Sequence, residues 1–93
     1  MIEVGTTNGR PAVRGDLDLL SIPALETWLD GLTDLTELDL SGVTFFDSSA
    51  LRTFLSYRRR NVDMRIVNPS PAVLRVLEMT GTVDYLLHDQ DLG

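Results

Sequence analysis

Between Thr36 and Asn68 the apolar period changes twice, and this change narrows the fold more than any other feature of the chain. In "TELDLSG", Leu38 and Leu40 alternate with Glu37, Asp39 and Ser41, the period-two signature of a strand with one buried face. From Ser48 onward Leu51, Phe54, Leu55 and the aliphatic stem of Arg58 recur at helical spacing, so a helix follows. "VDMRIVN" then returns to alternation through Val62, Met64 and Ile66. A strand, helix and strand in such close succession form a right-handed crossover that lays the two strands parallel in one sheet. Gly42 is expected to close the first of these strands, with "VTFF" bringing the chain up to the surface.

The flanking segments extend this unit. "MIEV" and "RPAVRGDLD" are separated by "GTTNG", whose Asn8-Gly9 pair signals a hairpin between antiparallel strands. In "SIPALETWLDGL", Leu25, Trp28, Leu29 and Leu32 predict a helix over about 21–31, with Ser21 as its cap, Pro23 in its first turn and Gly31 near its end. "SPAVLRVLEMTG" is the clearest helix, with Ser70 as cap, Pro71 at the first position and Gly81 as the stop. "TVDYLLHDQDLG" adds a short helical turn or an edge strand. Alternating rather than continuous apolar runs imply a sheet covered mainly on one face. The expected architecture is α/β: a mixed four- or five-stranded sheet with three to four helices, formed by residues 1–93 as a single domain.

Composition excludes several classes of function. The chain has no cysteine, so no disulfide framework or thiolate metal site can be built. Its net charge of −6 repels phosphates and anionic lipid heads. Direct nucleic-acid binding and membrane insertion are not expected, and a protein partner is. Nor does "MIEVGTTNGR" carry the basic and apolar regions of a leader, which predicts a cytoplasmic protein. Arg58, Arg59 and Arg60 read as a solvated helix end where cations suit the macrodipole. No glycine loop of the phosphate-cradling kind occurs, and no cofactor or metal is implied.

The chemistry concentrates at Asp47-Ser48-Ser49, where strand gives way to helix. Asp and Ser are preferred caps, so the local structure alone gives them a role. Free N–H groups at such a junction also converge on anything negatively charged, and one cap does not explain two hydroxyls behind a carboxylate. A nucleophilic serine needs a base within reach. The only histidine is His88, in the polar tail, and no elbow motif surrounds the pair, so an enzyme is not expected. Asp16 and Asp18 of "RGDLDLLS" follow the second strand and are expected at the same end of the sheet as Ser48, as caps or as part of a surface.

Three strings, in order, resemble one family. "RGDLDLLSIPALETWL" looks like its G-E-L-D segment and first helix, "LDLSGVTFFDSSALRTFL" is similar to its strand-loop-helix phosphosite, and "SPAVLRVLEMTG" resembles its S-P-x-V helix. The chain is thereby identified as resembling STAS domains of the anti-anti-sigma factor type, which act in bacterial sigma-factor regulation. The resemblance implies a STAS-type fold and a switch. The unmodified domain binds an anti-sigma factor that is also a GHKL-type serine kinase, so freeing the sigma factor. The kinase phosphorylates the first serine of the motif, here Ser48, and a PP2C-type phosphatase reverses it. The implied partner surface comprises Asp18, Asp47, Ser48, Ser49, Ala50 and Arg52. An alternative within the same family is a STAS scaffold that is not phosphorylated, such as an accessory subunit of a transporter or sensor complex. Two positions depart from the family pattern: Asp16 stands where Glu is common, and Ala50 where Gly is usual. The methyl of Ala50 is expected to thicken the backbone where a kinase approaches.

Overall fold

The computed structural model describes residues 2–33 and 35–87. Two strands open the chain, β1 (Ile2–Thr7) and β2 (Arg10–Leu17). They pair antiparallel around Asn8 and Gly9, whose φ values of 53° and 79° put both turn residues in the left-handed region. This is the twist that a two-residue hairpin requires, and Asn-Gly supplies it at least cost. A single 3-10 turn (Leu19–Ser21) leads into α1 (Ile22–Gly31). Then come β3 (Glu37–Phe46), α2 (Ser48–Arg60), β4 (Arg65–Val67), α3 (Pro71–Thr80) and α4 (Val83–Leu87).

The sheet has four strands in the order β1-β2-β3-β4, with β2, β3 and β4 mutually parallel. The expected mixed sheet and the crossover through α2 are present, and a second crossover, through α1, joins β2 to β3. The segment that was open between helical turn and edge strand is helical, as α4, so no fifth strand occurs among the described residues. Val13 and Leu17 of β2 and Leu38, Leu40, Val43 and Phe46 of β3 face one core with Leu25, Leu29, Phe54, Val73, Leu77 and Leu86 of the helices. Phe54 is fully buried, and its ring centroid lies 6.0 Å from that of Phe46. The opposite face carries polar groups. Glu37 there receives the Arg10 Nε at 2.6 Å and the Arg65 Nη2 at 2.7 Å.

Gly42 does not end β3, which runs on to Phe46. The reason is a pair of register shifts. Ala12 pairs with Asp39 and Arg14 with Gly42; Gly15 then pairs with Val43 and Asp16 with Phe45. Twice, β3 uses one residue more than β2, as a β-bulge does. At the first shift the backbone approaches β2 so closely that a Cβ on Gly42 would lie 2.8 Å from Cβ of Arg14. Asp39 holds this irregular stretch. Its Oδ1 accepts from the Ser41 backbone N–H at 2.9 Å and the Ser41 hydroxyl at 2.6 Å. Its Oδ2 accepts from the Asn68 side-chain amide at 3.0 Å, tying down a turn in which Asn68 has φ 50°.

Two further expectations are corrected. β4 is only Arg65–Val67, and Val62 is 68% exposed, because the chain turns after α2 with Met64 N–H donating to the Asn61 carbonyl at 2.9 Å. Arg58 is not a solvated helix end but 4% exposed. Its Nε donates to the Tyr85 carbonyl at 3.1 Å, and its guanidinium carbon sits 4.8 Å from the Tyr85 ring centre, fastening α4 to α2. Arg60 lies 4.5 Å from the Tyr57 ring centre. α3 agrees with its sequence: Ser70 Oγ accepts from Val73 N–H at 3.3 Å, and Gly81 ends the helix at φ 72°.

Candidate functional site

Because β2 and β3 are parallel and Leu17 pairs with Phe46, the next residue on each strand, Asp18 and Asp47, leaves the sheet at the same end. The Asp47 N–H still donates to the Leu17 carbonyl at 3.3 Å, which joins the two exits. Both aspartates have the same extended backbone, φ −119° with ψ −177° at Asp18 and −175° at Asp47. Both turn their carboxylates back onto the helical turn that follows. Asp18 Oδ1 accepts from the Ser21 N–H at 3.2 Å, and the Ser21 hydroxyl accepts in return from the Asp18 N–H at 2.9 Å. This is a capping box. Asp18 is therefore the cap that sequence reading gave to Ser21, whose own side chain makes no cap bond to α1.

At the second exit Asp47 Oδ1 accepts from the Ala50 N–H at 3.1 Å, and the Asp47 carbonyl from the Leu51 N–H at 3.0 Å. With the capping done by Asp47, the hydroxyl of Ser48 is free of structural duty. Ser48 is exposed, and its hydroxyl has no hydrogen bond with any described residue. The N–H groups of Ser48 and Ser49 have no acceptor within the helix, as at any helix start. Ser49 is half-buried and its carbonyl accepts from the buried Thr53 hydroxyl at 3.1 Å.

Ala50 is fully buried. Its methyl points into the core rather than outward, so it adds no bulk to the surface around Ser48, contrary to expectation. To a partner it offers no side chain. Arg52 is exposed one turn beyond Ser48. Asp16, half of the expected pair, does not cap; its Oδ1 accepts from the Thr44 hydroxyl at 2.7 Å across the sheet. His88 lies outside the described residues. The structure thus gathers Asp18, Asp47, Ser48, Ser49 and Arg52 at one end of the sheet and turns the side chain of Ala50 away.

Two features escaped the sequence. Leu19 and Leu20, in the 3-10 turn after Asp18, are 67% and 90% exposed; a turn of three residues carries no helical period from which a reading of the sequence could place them. A shallow trough of about 540 Å³ lies along β1, β2 and β3, its lining including Glu3, Ala12, Arg14, Asp39, Ser41 and Gly42. It is lined by residues of β1, β2 and β3 and by neither Asp47 nor Ser48. Asp39 is 2% exposed; burial pushes its carboxyl upward, but hydrogen bonds from Ser41 and Asn68 prevail and hold it below the usual carboxylate value.

A family model described as STAS domain matches residues 10–92. The chain belongs to the STAS domain family. No curated protein matches it. Within this STAS domain the match spans both strand exits and all four helices. No helix among the described residues is long and apolar enough to cross a membrane, and no group of three or more His, Cys, Asp or Glu among them is placed to hold a metal ion.

Proposed function

We propose that this STAS domain is an anti-sigma factor antagonist, switched by phosphorylation of Ser48. One observation supports the reading above others: Asp47 caps α2, leaving the Ser48 hydroxyl exposed and unbonded beside it. In the unmodified state the surface of Asp18, Asp47, Ser48, Ser49 and Arg52 docks on an anti-sigma factor that is also a GHKL-type serine kinase. Docking releases the sigma factor. Transfer of the γ-phosphoryl group of ATP to Ser48 Oγ, with cleavage of the β–γ phosphoanhydride bond, release of ADP and loss of the hydroxyl proton, places about −1.5 to −2 charge next to Asp47. The start of α2 tolerates that charge, because its N–H groups and dipole face it, so the fold is kept. The interface is not: like charges and the desolvation of a phosphate oppose re-docking. A PP2C-type phosphatase resets the surface by hydrolysis. The domain itself is a binding module and not an enzyme.

The test is a titration of the unmodified chain, Ser48→Ala and Ser48→Asp against the candidate kinase. The reading expects Ser48→Ala to bind within a few-fold of the wild type and Ser48→Asp to lose at least tenfold, about 1.4 kcal/mol. Equal binding by both variants would refute it.

A further inference from the structure

We infer that Arg52 is the internal receiver of the Ser48 phosphate, so that modification both adds charge and withdraws the cation of this surface from a partner. This rests on the reading of Ser48 as the modified residue. Arg52 stands four residues after Ser48 on α2, which brings their Cβ atoms to about 6 Å. Helical side chains lean toward the N-terminus, which puts the turn that holds Ser48 within reach of a side chain as long as that of Arg52. It is exposed and belongs to none of the ion pairs among the described residues, which join Arg10 and Arg65 to Glu37 and Arg14 to Glu3. Between Ser48 and Leu55 it is the only cation. A helix start alone would tolerate a phosphate; a guanidinium one turn on gives it a direction, because its planar fork matches two phosphate oxygens.

The charges facing the phosphate have opposing effects. Asp47, beside it on the same turn, and Asp18, at the adjacent strand exit, disfavour the dianion, while Arg52 favours it. Their balance is measurable without any partner. Phosphoserine is installed at position 48 during synthesis in the full chain and in its Arg52→Gln and Arg52→Lys variants, and the second ionisation is followed by 31P NMR at low salt. The expected midpoint is lower with Arg52 than with Gln by on the order of half a pH unit, an exposed pair being worth well under a buried one. Lys restores part of the shift, and about 1 M salt removes most of it. Identical midpoints in the Arg52 and Gln chains would overturn the assignment. Since the phosphate is placed synthetically, the titration stands even where no kinase modifies Ser48, so the two proposals fail separately.

Discussion

Replacing Ala50 by Gly, the residue usual at this place in the motif that the sequence resembles, tests whether the start of α2 is seated as described. The Ala50 methyl is fully buried. Removing a buried methyl loses about 1 kcal/mol of transfer and packing free energy. Glycine inside a helix costs up to ~1 kcal/mol more through the entropy of the unfolded chain. The backbone N–H at this position still donates to Asp47, so the cap is retained and nothing offsets these losses. The sum, about 2 kcal/mol, lowers Tm by roughly 10 °C in a domain of this size. Urea unfolding at neutral pH measures it directly: the midpoint falls while the slope, which follows the surface exposed on unfolding, is unchanged. Because the methyl lies beneath the surface, the Ala50→Gly change leaves the modification of Ser48 at its wild-type rate while the variant is folded. An Ala50→Gly chain as stable as the wild type to within about 0.5 kcal/mol would place the methyl outside the core and refute the argument.

Two other substitutions probe β3. Gly42→Ala puts a Cβ 2.8 Å from Cβ of Arg14, an atom anchored directly to the β2 backbone; the strands must part, and urea unfolding is expected to show a loss of roughly 1–3 kcal/mol. Asp39→Ala leaves the Ser41 N–H and hydroxyl and the Asn68 amide without their acceptor, for a loss of roughly 1–3 kcal/mol. The pH dependence has a definite sign. The folded Asp39 carboxyl lies below its ordinary value, so its stabilisation is complete above the unfolded value of about 3.9 and is lost as pH falls through the lower, folded one. Acid titration of stability below about pH 4 is thus shallower in Asp39→Ala than in the wild type, and equal slopes would contradict the assignment.

Where sequence and structure agree, local chemistry alone was decisive. Asn8-Gly9 needs two positive φ values and has them; Ser70, Pro71 and Gly81 bound α3 as their types require. β3 was legible only to Gly42, because a period-two reading assumes an unbroken register, and the two extra residues after Asp39 shift the alternation so that Val43 and Phe46 return to the core. The cap of the first helical segment went to Ser21 rather than Asp18 for a similar reason: the 3-10 turn inserted before α1 has no apolar period of its own. Arg58 illustrates a third kind of miss. Its stem lies on the buried face of α2 as the helical spacing has it, but the partner of its charged head, Tyr85, is 27 residues away, and no local pattern carries that contact. The site was legible in composition and order, since Asp47 and Ser48 follow a strand and start a helix. Its division of labour was not, because which of two adjacent caps is used is decided by backbone angles at the strand exit.

The most direct test of the account is intact-mass measurement with site mapping after incubation with a candidate GHKL-type kinase and ATP. A single phosphate on Ser48, absent from Ser48→Ala and unaffected in Ser49→Ala, is the predicted result. Phosphate carried by Ser49, or retained by Ser48→Ala, would contradict it.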